Sequence, residues 1–89
     1  MRLPSYSGQF KRDVKAVERR GHDMAKLRTL LSLLIAGEPL PRDYRDHPLK
    51  GDWEGYRDAH IESDWLLIYK ASATAVHFER TGTHTDLFD

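Results

Sequence analysis

The chain predicts an α+β fold: an N-terminal αα hairpin packed on a small antiparallel sheet. Three observations carry that prediction. Apolar residues recur at helical spacing up to Ala36, and short β-rich runs separated by two tight turns occupy the stretch from Gly55 onward. No cysteine is present, so a core of helices against a sheet has to stabilise the fold without disulfides or a thiolate metal site.

Leu3 to Tyr6 reads as a short first strand, which Pro4 restricts to a sheet edge. From Gly8 to Arg20 the residues Phe10, Val14 and Val17 share one helical face, with Lys11, Arg12, Lys15, Arg19 and Arg20 largely opposite. Gly21 is a C-terminal stop and Asp23 a cap for the next helix. That helix runs from about Met24 to Ala36. Its broad stripe of Met24, Leu27, Leu30, Leu31 and Leu34 is core and carries no function. Gly37 and the run Glu38-Pro39-Leu40-Pro41 end it. Arg42 to Asp52 reads as irregular. Strands follow over Gly55–Ile61, Trp65–Lys70 and Ala75–Arg80, joined by Glu62-Ser63-Asp64 and Ala71–Thr74. Trp65 to Tyr69 is apolar on both faces, as in a central strand.

The 89 residues suit one domain near the lower limit for a self-sufficient core. No apolar run reaches the ~20 residues of a membrane span, and Met1-Arg2-Leu3-Pro4 lacks the layout of a signal peptide. A cytoplasmic protein without a membrane role is expected. Zero net charge argues against a general nucleic-acid binder. The distribution points the other way. Residues 1–28 hold eight Lys/Arg against three Asp/Glu, a balance of +5, and residues 29–89 hold six against eleven, or −5. Such asymmetry hints at a charged partner, although a solvated basic helix face would produce it equally well.

Read as a meander, the last three strands bring His60, Asp64 and Arg80 within about two strand spacings of ~4.8 Å. His84 follows four residues after Arg80, and Thr81-Gly82-Thr83 supplies a bend to turn it back over the cluster. Imidazoles that carry protons near neutral pH, with a carboxylate and a guanidinium, suit phosphodiester cleavage. The bland alternatives are a surface pair of His60 with Asp64 worth ~0–1 kcal/mol, and a rim salt bridge from Arg80 to Asp58 or Asp64. His22 reads as an interhelix turn residue and His77 as a partly buried structural imidazole. A zinc site from His47, His60, Asp64 and His84 lacks any HExxH spacing, and Arg80 beside a cation would be unfavourable, so no metal and no cofactor is expected. No nucleophile elbow, P-loop or dinucleotide fingerprint occurs.

Five segments carry a resemblance: Tyr6-Ser7-Gly8-Gln9-Phe10; Tyr44-Arg45-Asp46-His47-Pro48-Leu49; Gly55-Tyr56-Arg57-Asp58-Ala59-His60; Asp64 to Lys70; and Phe78-Glu79-Arg80-Thr81-Gly82-Thr83-His84. In order and spacing they resemble the YafQ-like toxins of the RelE/ParE superfamily, over nearly the whole chain. The histidine set is specific, because gyrase-poisoning branches lack it. The resemblance implies a compact microbial-ribonuclease-like fold and a type II toxin that cleaves mRNA in the ribosomal A site. A cognate antitoxin would wrap and neutralise it, with operator DNA reached only through that antitoxin. The same resemblance implies an active site of His47, His60, Asp64, Arg80, His84 and Phe88. His60 or Asp64 would take the 2′-OH proton, His84 would protonate the leaving 5′-oxygen, Arg80 would stabilise the phosphorane and His47 would hold a phosphate oxygen. Trp65 and Phe88 would form the substrate-binding part, Trp65 buttressing the hairpin end and Phe88 stacking on a base. Lys11, Arg12, Lys15, Arg19 and Arg20 would contact ribosomal RNA. Two features depart from the family: the neutral charge, and the acidic tail Thr85-Asp86-Leu87-Phe88-Asp89 around His84. They leave open a catalytically weak interaction module, acting through antitoxin and DNA.

Overall fold

A computed structural model describes residues 1–89. In chain order the elements are β1 (Leu3–Tyr6), α1 (Gly8–Arg19), α2 (Met24–Ala36), a 3₁₀ turn (Arg42–Tyr44), β2 (His47–Pro48), a second 3₁₀ turn (Gly51–Trp53), β3 (Arg57–Glu62), β4 (Trp65–Ala71), β5 (Ala75–Gly82) and α3 (His84–Phe88). The Ser7 hydroxyl caps α1 by accepting from the Phe10 N–H at 2.8 Å, and Asp23 caps α2 by accepting from Ala25 at 3.1 Å. Gly37 closes α2 in the left-handed region, at φ 77°, where a side chain would be strained.

The strand order is β1-β5-β4-β3-β2. Neighbours from β2 to β5 are antiparallel, as expected; β1 joins the outer edge of β5 in parallel, so the whole sheet is mixed. Pro4, which cannot donate to a ladder, sits on that edge strand. Between the helices and one face of the sheet lie Phe10, Leu30, Leu34, Ala59, Leu67, Tyr69, Val76 and Phe78. The other face carries a smaller cluster of Leu66, Ile68 and Leu87, bordered by Leu49, Trp53 and Tyr56. Residues 65–69 of β4 are therefore buried on both faces. No helix is long and apolar enough to cross a membrane.

Three sequence expectations are corrected. First, β5 runs on to Gly82, and α3 follows it where only a bend and a tail were expected. Second, a register shift places Arg80 opposite Ile68 and Gly82 opposite Leu66. Arg80 therefore lies abreast of Asp58, which also pairs with Ile68, and does not return to the level of Asp64. Third, Trp65 is 1 % exposed and packs with Val17 and Leu27 under the helices, its Nε1–H donating to Thr81 Oγ1 at 3.0 Å. It is a core residue and presents nothing to a substrate.

Candidate active site

Strand alternation assembles the site. Ala59 faces the helices, so its neighbours Asp58 and His60 face the opposite side. There β2 brings His47 beside Asp58 in register. On the far side of β4, α3 begins at His84 because Thr83 forms a capping box: its Oγ1 accepts from the Asp86 N–H (3.1 Å), and Asp86 Oδ2 accepts from the Thr83 N–H (3.0 Å). Gly82 is required at this corner, since a Cβ there would meet Asp86 Oδ2 at 2.9 Å.

The result is a continuous line of four rings. Centroids of His47 and His60 are 6.1 Å apart, those of His60 and His84 5.9 Å, and those of His84 and Phe88 6.4 Å. Phe88 is 41 % exposed, a large apolar ring left facing solvent at the end of the line.

Asp64 belongs to His84. Its Oδ1 accepts from the His84 backbone N–H at 2.9 Å and lies 2.6 Å from His84 Nδ1. Those bonds, the backbone one first, hold the Asp64 carboxyl below its ordinary value. An ionised carboxylate only accepts, so Nδ1 carries a hydrogen and Nε2 is turned outward as the working atom. The coupled His60–Asp64 pair expected at the hairpin end is thus replaced by a His84–Asp64 pair.

Asp58 forms the floor. It is 4 % exposed, and burial raises its carboxyl above the usual range, with His47, His60 and His84 opposing that shift. His47 Nδ1 comes within 3.1 Å of Asp58 Oδ1, yet it is aligned on the Arg45 carbonyl at 2.9 Å. Asp58 Oδ1 and His60 Nδ1 are consequently buried without hydrogen bonds. Asp58 was absent from the sequence-derived site. Its place two residues before His60 on one strand was the signal, since that spacing puts both on one face.

Arg80 is anchored away from both carboxylates expected for it. Its Nε donates to Asp13 Oδ2 at 2.7 Å and its Nη2 to Asp13 Oδ1 at 3.3 Å. Asp13 is 8 % exposed and also accepts from the Thr81 N–H at 3.2 Å. α1 therefore orients the guanidinium, leaving Nη1 without a hydrogen bond within the chain. Of the five basic residues on and after α1, all exposed, Arg12 bonds Gln9. Arg20 is tied to Asp86 at 2.6 Å, and Lys11, Lys15 and Arg19 make no ion pair. His22 packs edge-on to Trp65 and His77 bridges Ser5 and Glu79, both structural as expected. No set of three or more histidines and carboxylates is gathered closely enough to hold a metal ion.

The chain, with three histidines, a buried carboxylate and an exposed phenyl ring along one face of its α+β sheet, falls in the class of small RelE-like toxins, whose solved members superpose on it. The E. coli DinJ–YafQ complex contains a chain matching at TM-score 0.94 and 54 % identity, covering 100 % of both chains. A metal-bound toxin from Helicobacter pylori matches at TM-score 0.90 and 32 % identity, covering 99 % of this chain and 100 % of that one. The mRNA interferase toxin YafQ of E. coli K12 is 57 % identical over 84 residues, 93 % of this chain and 91 % of that protein. A family model described as the bacterial toxin of type II toxin–antitoxin systems, YafQ, matches residues 2–89, and the chain belongs to that family.

Proposed function

We propose that this chain is an mRNA interferase: a ribosome-dependent endoribonuclease that cuts mRNA in the A site without a metal and so stops translation. The observation that carries the reading is the row His47–His60–His84–Phe88, with Asp64 fixed on Nδ1 of His84. Rings about 6 Å apart bracket a phosphate, with a nitrogen available on either side of phosphorus. His60 has its Nδ1 buried, so Nε2 takes the proton from the ribose 2′-OH. O2′ bonds to phosphorus, the P–O5′ bond breaks, and the Nε2 proton of His84 passes to O5′, giving a 2′,3′-cyclic phosphate and a 5′-OH. With Asp64 engaged by His84, the general base is His60. His47 and Arg80 Nη1 stabilise the phosphorane oxygens. Phe88 stacks on a neighbouring base. By analogy with the E. coli toxin solved with DinJ, a cognate antitoxin is its protein partner. The alternative of an inactive interaction module leaned on the acidic tail, but within that tail Asp86 is paired with Arg20 at 2.6 Å.

Purified ribosomes programmed with a defined mRNA test the proposal. Wild-type protein is expected to cut only within the A-site codon, and His84→Ala to be slower by at least about 100-fold. His84 is half exposed and the variant should remain folded. Intact mRNA with folded, ribosome-bound wild type would reject the reading.

A further inference from the structure

We infer that the cavity behind His60 is a nucleobase subsite selecting a base that bears an exocyclic amino group. The inference rests on the ribonuclease reading and extends it to substrate specificity. β2 covers only Arg57 and Asp58 of β3, so the outer edge of β3 from Ala59 onward has no strand beside it. A cavity of about 350 Å³ opens there, lined by Lys26 and Thr29 of α2, Pro41 just before the first 3₁₀ turn, Asp43 and Tyr44 within it, and His60 and Ile61. It has the size of small-ligand pockets, about 300–1,000 Å³, and it shares His60 with the proposed scissile-phosphate site. A nucleotide flanking that phosphate can therefore place its base in it.

The lining chemistry selects a base over a phosphate. Lys26 is the one cation, and Glu62 holds it at 2.9 Å. Asp43 is exposed and unpaired, so it repels anions and presents two free acceptor oxygens. Tyr44 is half-buried and held from behind by the main core, which fixes its ring for stacking at little entropic cost. A carboxylate accepts from adenine N6, cytosine N4 or the guanine Watson–Crick edge. Uracil presents two carbonyl oxygens around its single N–H and is disfavoured. The Thr29 hydroxyl already donates to Ala25 O at 3.0 Å, so it is left as an acceptor and adds to the same preference.

Two measurements test the subsite. ¹⁵N-labelled full-length protein is titrated with adenosine, cytidine and uridine. Adenosine and cytidine are expected to shift the amide resonances of Thr29, Asp43, Tyr44 and Ile61, with uridine weaker by about fivefold or more and Asp43→Asn abolishing the difference. Equal response to uridine, or shifts confined to the His47–His84 row, would overturn it. On programmed ribosomes each base of the codon is then replaced in turn by uracil. At one position the wild type should slow by about tenfold, and Asp43→Asn by less than about twofold. Cleavage with no Asp43-dependent position would overturn the subsite and leave the ribonuclease standing. Absence of cleavage would overturn the ribonuclease, and with it the specificity role, while the titration still reports whether the cavity takes a base. If the cavity binds a peptide of the antitoxin and no nucleoside, it is a protein contact and the inference fails.

Discussion

Asp58 lies buried under three histidines with one oxygen lacking an aligned donor, an arrangement that stability alone does not favour. In the proposed reaction its charge would serve the row above, because an anion below the rings would compensate the proton that His60 is to receive. Burial raises the Asp58 carboxyl, the largest influence on it. A carboxyl raised in the folded state binds its proton more tightly there than in the unfolded chain. It favours the fold at low pH and costs stability as pH rises through the raised value. Asp58→Asn should thus be more stable than the wild type at pH 7.5, with the gap shrinking towards pH 4, as read by denaturant unfolding. Its cleavage rate on programmed ribosomes should fall by at least about tenfold. A variant that lost stability at pH 7.5 would instead make Asp58 a structural residue.

At the scale of elements, the last five-residue helix determines whether the site exists. α3 carries His84 and Phe88 and is too short to persist alone. It is held by the Thr83 capping box, by Leu87 against Leu66 and Ile68, and by Arg20 on Asp86. The hydrogen bond from Arg20 is the first cause that lowers the Asp86 carboxyl to about 2. The sign follows: a depressed carboxyl stabilises the fold above its unfolded value, about 3.9, and that contribution is lost as pH falls through about 2. Amide exchange at Leu87 should therefore stay slow on acidification well below pH 3.9 in the wild type, and Asp86→Asn should lose that protection already at neutral pH. Gly82→Ala tests the same corner from the strand side. Its Cβ would press on an Asp86 carboxylate that Arg20 and Thr83 N–H pin in place. The expected outcome is a retained sheet by circular dichroism, mobile His84 resonances, and cleavage reduced by about tenfold or more, since misplacement of a catalytic group by about 1 Å can cost 100-fold.

For the whole molecule, what the sequence made legible follows from which interactions are local. The two helices, the Asp23 cap of α2 and the central strand Trp65–Tyr69 follow from periodicity and neighbouring residues, whereas the Ser7 cap of α1 emerged only in the structure. The convergence of His60 and His84 followed from a meander of alternating strands, although the row is set by Gly82 opposite Leu66 and not by Arg80. What stayed hidden depends on pairs far apart in sequence. Asp13 with Arg80, and Arg20 with Asp86, are separated by 67 and 66 residues, and neither ion pair leaves any periodic trace. They also rewrite the charge reading. A balance of +5 in the first 28 residues seemed one uniform attraction, but Arg20 is committed within the chain to holding α3. Lys11, Lys15 and Arg19 remain exposed and unpaired on α1, on the helix layer and away from the histidine row. If these three contact ribosomal RNA, replacing all three with alanine should weaken ribosome association and flatten its log–log salt dependence by about 2. The cleavage position and the rate of the bound complex should not change. Arg20→Ala should do the reverse, leaving the salt slope nearly intact while slowing cleavage, because it loosens α3 and His84 with it. Equal salt slopes for the wild type and the triple variant would remove α1 from the ribosome contact and return its charges to a solvated helix face.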